Sequence, residues 1–106
     1  MGVDNTYYTM HGVVIHDEDF IDKFMNDHDS IEVEHVYDGM CGKYIVFGEI
    51  LAVHDIYSDD TDMREIDIQS LFERREKYIK AFVEEYPDLA WVMEKPFKII
   101  SFVHYS

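Results

Sequence analysis

Apolar and polar positions along this chain fall into short blocks, each with its own period. Tyr7 to His16 (YYTMHGVVIH) gathers aromatic and β-branched residues and predicts a strand. Phe20, Ile21, Phe24 and Met25 then recur at helical spacing. Asp17 stands where an N-cap belongs, and Glu18 and Asp19 suit the positive end of a helix, so a helix is expected to run from Asp17 to about His28–Ser30. Ile31 to Tyr37 alternates Ile, Val, His and Tyr with Glu32 and Glu34, the signature of a half-exposed strand. Asp38 to Gly42 supplies the glycines of a hairpin loop. Lys43 to Tyr57 returns as a long strand, with Gly48 expected to bulge or bend it.

The stretch after Tyr57 supports two readings. Ser58 to Asp62 is a turn. Asp62 and Glu65 could open a helix at once, but Glu65–Gln69 (EIDIQ) alternates with period two, and Ser70–Glu73 (SLFE) makes a later capping box. The preferred expectation is a strand at 63–69 and a helix at 71–86. On that helix Leu71, Phe72, Arg75, Tyr78, Ile79, Phe82, Val83 and Tyr86 form one face, with Glu73, Arg74, Glu76, Lys77 and Lys80 on the other. Tyr86-Pro87 ends it. Leu89–Met93 is apolar but too short to classify, and Phe97–Tyr105 closes the chain as a strand.

The expected fold is therefore α+β, in one domain over residues 1–106: a two-layer sandwich with a mostly antiparallel sheet of four or five strands and two helices on one face. The element order is βαββ(β)αβ. Without the 63–69 strand it becomes βαββαβ, the ferredoxin-like arrangement.

Composition adds a constraint. Hydrophobic residues make up 47% and aromatics 15%, too apolar for a disordered acidic tail. The single cysteine, Cys41, allows no internal disulfide and fits a reducing, cytoplasmic setting. The first residues lack the basic and apolar regions of a signal peptide, and no apolar run approaches a membrane span, so a soluble protein is expected. Gly2–Thr6 matches the short myristoylation pattern, but a single acyl chain beside an acidic surface anchors poorly.

Charge changes the picture most. The net charge is −14, and 15 acidic residues against two lysines lie before Arg64, while 8 acids face 7 bases from there on. Asp17, Glu18, Asp19 and Asp22 cluster at the first helix. Asp27, Asp29, Glu32 and Glu34 continue from its end, and Asp55, Asp59, Asp60, Asp62, Glu65 and Asp67 gather around one turn.

Candidate chemistry is thin by comparison. Three His-Asp dipeptides, at His16, His28 and His54, carry the residue types that hold a divalent ion and activate water. The all-helical phosphohydrolases named after such a pair are not matched, since two of these pairs lie at strand ends. His11, His35, His54 and His104 fall on expected strands and could meet across the sheet. The calcium-loop pattern fails at Arg64 when started from Asp60 and at Ile31 when started from Asp27. Cys41 has no evident cationic neighbour to make a thiolate. No phosphate-binding glycine loop is present, and direct nucleic-acid binding lacks a basic patch. No catalytic residue, metal ligand or cofactor is assigned.

These residues point to an interaction protein whose acidic face docks on a basic surface of another protein, one that binds nucleic acid. Asp17, Glu18, Asp19, Asp22, Asp55, Asp59, Asp60, Asp62 and Glu65 are the candidate contact residues. Carboxylate rows can stand in for DNA phosphates, which carry one charge per about 1.7 Å of duplex axis. In size and charge the chain looks like the small acidic inhibitors made by phages, DNA-mimicking anti-restriction and anti-CRISPR proteins among them. That likeness is one of composition, and it transfers no residue role. Two other readings stand beside it: a metal-dependent enzyme or ligand-binding domain using the histidines and aspartates, and a binding module anchored by aromatics such as Tyr7, Tyr8, Tyr37, Tyr44, Tyr57 and Trp91.

Overall fold

Among the described residues, four antiparallel strands form one open sheet in the order β2-β3-β1-β4, with β1 (Asn5–Ile15) and β3 (Ile45–Asp55) at its centre. The computed structural model describes residues 5–28, 30–55 and 65–105. β2 (His35–Tyr37) and β4 (Lys98–Tyr105) are the edges. The helices are α1 (Glu18–Asp27), α2 (Ile68–Glu85) and a 3-10 segment, Pro87–Glu94. The class is α+β, and the described elements run βαββαβ, with the 3-10 segment before the last strand.

Local chemistry explains where the helices begin. The Asp17 carboxylate accepts from the backbone N–H of Asp19 at 3.1 Å and of Phe20 at 3.2 Å, as expected of an N-cap. Asp67 does the same for α2, accepting from Gln69 N–H at 3.0 Å. That cap overturns the strand expected at 63–69 as far as it is described. Glu65–Asp67 carries no strand, and Ile68 and Gln69 already belong to the helix. The period-two alternation there was a coincidence of two isoleucines. Ser70, expected as the cap, lies in the first turn and donates to the Asp67 carbonyl.

The second strand is also shorter than its alternation implies. Only His35–Tyr37 pairs with β3. Glu34 ends the ladder by substituting side chain for main chain: its carboxylate accepts from Ile50 N–H at 3.0 Å. Its carbonyl accepts from Gly48 N–H and from the Tyr78 hydroxyl of α2. Burial pushes the Tyr78 phenol up, which keeps it a neutral donor.

One face of the sheet carries the helices. Val13, Ile15, Ile45 and Phe47 meet Ile21 and Phe24 of α1, Phe82 of α2, Tyr86 at the end of α2, and Val92 and Met93 of the 3-10 segment. Phe47 is fully buried and lies edge to face with both Phe24 (5.3 Å) and Phe82 (5.1 Å), so one ring joins the two helices to the sheet.

The opposite face holds a second core that the sequence pattern did not reveal. Met10, Val36 and Val46 are buried there, flanked by Tyr8, Val14, Tyr44, Ile50, Ile100 and Phe102. Tyr44 lies at the Ile15 end of the sheet and Phe102 opposite Tyr8, a separation of about 23 Å along a flat strand. Their ring centroids are nonetheless 5.6 Å apart, and the Tyr44 hydroxyl is 2.8 Å from His104 Nδ1. The sheet must therefore curl over its helix-free side.

Gly12 and Gly48 face each other at the bend. A Cβ on Gly12 would sit 2.6 Å from the Gly48 Cα, and one on Gly48 would sit 2.7 Å from the Gly12 Cα. Gly48 thus serves close backbone approach, while the bulge expected there falls at Leu51, left unpaired between Ala52 and Ile50. Replacing Gly12 with Ala should lower stability by about 2 kcal/mol or more, because backbone must move to admit the methyl group. Gly39→Ala, with open space around it, should stay within about 0.5 kcal/mol. Urea unfolding of the two variants checks both.

Candidate functional site

α1 separates two clefts of opposite character. On one side, Glu18, Asp19, Ile21 and Asp22 face Tyr37 and the hairpin loop Gly39–Gly42 across a shallow cleft of about 410 Å³. Among the described residues its lining holds three carboxylates and no basic residue. Glu18, Asp19 and Asp22 are exposed, as are Met40 and Cys41 opposite them.

The far wall is rigid for a reason visible in its residues. Asp38 is buried, and its carboxylate accepts the backbone N–H of Met40 (3.3 Å), Cys41 (3.2 Å) and Lys43 (3.1 Å). Burial pushes the Asp38 carboxyl up, but these three donors outweigh it and hold the carboxyl below its ordinary value. Gly42 takes φ +66°, and its N–H returns to the Asp38 carbonyl at 2.8 Å.

On its other side α1 meets the corner between α2 and the 3-10 segment, leaving an aromatic cleft of about 570 Å³. Phe20 lies edge to face with Trp91 at 5.5 Å, and Phe24 with Tyr86 at 5.4 Å. His28 fits between Phe24 (4.6 Å) and Tyr86 (4.8 Å). Lys23 is tied to Asp27 at 2.8 Å along the α1 rim.

The structure thus separates the expected contact residues. Asp17 is spent on capping, although it remains exposed. Glu18, Asp19 and Asp22 form one group. Glu65 stands apart, lining a separate cleft with Glu49, Asp67 and Arg74 at the start of α2. Asp59, Asp60 and Asp62 lie outside the described residues, as do Tyr57 and Gly2, and Asp55 is the last residue of β3.

The histidines do not converge. His11 pairs with Glu49, His35 with Phe47, His54 with Tyr7 and His104 with Thr6. His35 is held by the Val33 carbonyl at 2.8 Å, and His104 by Tyr44. Among the described residues no three of His, Cys, Asp or Glu are grouped to hold a metal ion, and no helix is long and apolar enough to cross a membrane. Compared with protein-family models, curated proteins and solved structures, the chain has no match.

A third polar group was missed in the sequence. Arg74, expected on the polar face of the helix, reaches β3 and pairs with Glu49 at 2.8 Å while also donating to Ser70. Arg75 stacks its guanidinium 5.2 Å over Phe72 and bonds Glu76, with its Nε buried and unpartnered among the described residues. The charges of both arginines act on His11, which is buried against Phe97 at 5.4 Å. Glu49, an acid among the apolar residues of the first half of β3 and opposite His11, was the available signal.

Burial lowers His11 below its ordinary value of 6.5, and Arg75 and Arg74 add to the effect against the opposing pull of Glu49. The native state therefore resists protonation that the unfolded chain accepts. This contribution to stability is complete above about pH 6.5 and is lost as pH falls toward the lowered native value. The urea midpoint should fall between about pH 7.5 and pH 5, and His11→Asn should fall less over the same range.

Proposed function

We propose that the protein is a non-enzymatic docking module that sets the α1 acids Glu18, Asp19 and Asp22 against a basic surface of a partner protein, the kind of surface that binds nucleic acid. One observation carries this reading: three exposed carboxylates share a cleft whose lining, among the described residues, has no base. A concentration of one sign of charge in a concave site focuses the field and speeds encounter with an oppositely charged partner. Met40, exposed at 58%, offers apolar contact within the same cleft. The Asp38 network holds the loop that presents it, so little order is lost on docking. Occupying the partner's basic surface would exclude nucleic acid from it and make the chain an inhibitor.

The test begins with immobilised protein and a cell lysate, followed by purified components. The partner should be released by duplex DNA and by rising salt. The triple variant Glu18→Gln, Asp19→Asn, Asp22→Asn should bind it at least about ten-fold more weakly, from the loss of three charges worth about 0.5 kcal/mol each. Asp17 is left intact so that the α1 cap survives. Retention of the partner by the triple variant, or in about 1 M salt where screening acts within about 3 Å, would overturn the reading.

A further inference from the structure

The aromatic cleft on the other side of α1 has a charge pattern of its own. Its walls are the rings of Phe20, Phe24, Tyr86 and Trp91, and among the described lining residues Asp27, Glu85 and Asp88 stand with Lys23 and His28. Lys23 is already committed to Asp27. Among the described residues neither Glu85 nor Asp88 is in an ion pair, and both are exposed. At about 570 Å³ the cleft is well within the range that encloses a small group.

Trp91 shows what such a site attracts. It is 46% exposed, although neighbouring Val92 and Met93 are buried, and the Lys95 ammonium lies 6.0 Å from its ring centroid. Indole is the best aromatic face for a cation. Phe20 meets Trp91 at 77°, so the two rings make a right-angled corner and not a closed stack. A flat cation can lie along one wall of such a corner with its edge toward the carboxylates. A guanidinium has that shape: it is planar, weakly hydrated, and forms forked hydrogen bonds to carboxylate.

We infer that this cleft receives one arginine side chain of the basic partner, its guanidinium on the Trp91–Phe20 corner and its edge toward Glu85 and Asp88. The inference rests on the docking function proposed above but uses different residues. α1 then separates a diffuse electrostatic contact on one side from a specific anchor on the other. Aromatic anchors in pockets, with a polar rim around them, are the usual sites of concentrated binding energy.

Trp91 is the chain's only tryptophan, so its fluorescence reports on this cleft alone. The probes are N-acetyl-arginine amide and its neutral isostere N-acetyl-citrulline amide. The arginine probe should change the emission saturably, and the citrulline probe should bind at least about ten-fold more weakly, since it lacks the cation–π and ionic parts. The double variant Glu85→Gln, Asp88→Asn should weaken the arginine probe about five-fold or more and leave the citrulline probe unchanged. Equal binding of the two probes, or no saturable change with arginine, would overturn the inference. These measurements need no partner. If they fail while the α1 triple variant still loses its partner, the anchor alone is wrong. If arginine binds while the triple variant keeps its partner, the docking reading alone is wrong.

Discussion

The close approach of Gly12 to Gly48 is the constraint on which the rest of the structure depends. Two central strands can turn sharply together only where neither carries a side chain on the inner side. At that bend the sheet curls away from its helices and brings Tyr44 against Phe102 and His104. Without it, the helix-free face would be a flat array of Tyr8, Met10, Val46, Ile100 and Phe102 open to water. With it, Met10 and Val46 are almost fully buried. A small domain has little interior to spend, and enclosing both faces of one sheet raises the buried fraction without another layer.

The curl also bears on the surfaces that could meet a partner. Tyr8 and Tyr44, candidate anchors by residue type, are used internally, stacked and bonded in the second core. Trp91 is left exposed because the 3-10 segment turns Val92 and Met93 inward and can bury no more of its circumference. α1 is amphipathic in a similar way. Ile21 and Phe24 point to the core, and the two flanks of the same helix wall two clefts, one acidic and one aromatic. A ten-residue helix thus sets the spacing between them.

What could be read from the sequence was local. β1, α1 with its Asp17 cap, the Asp38–Gly42 loop and most of α2 depend on neighbours a few residues away, and the pattern showed them. The start of α2 was misplaced because Ile66 and Ile68 imitate a strand while the deciding bond, from Gln69 N–H to Asp67, involves a side chain that also suits a turn. The truncation of β2 depends on Glu34 reaching Ile50 across the sheet, and no periodicity reports that. The site was legible in part. The acids of α1 stood out by charge, but their cleft needs the hairpin loop beside them. The aromatic cleft joins Phe20 to Trp91, whose contact exists only once both helices are packed on Phe47.

The strand order has a kinetic consequence. β1 comes first in the chain, yet one of its neighbours is β4, whose Tyr105 pairs with Asn5. Nearly the whole chain must be looped out before that ladder can close, and the entropy of closure is spent before the pairing repays it. β1 also pairs with β3 across α1 and β2, so its central place in the sheet is built entirely from distant partners. A chain with this connectivity should collapse around its helices early and zip its central strand late. Until the last strand arrives, one flank of β1 presents unpaired backbone, and the net negative charge of the N-terminal half opposes the pairing of two such chains.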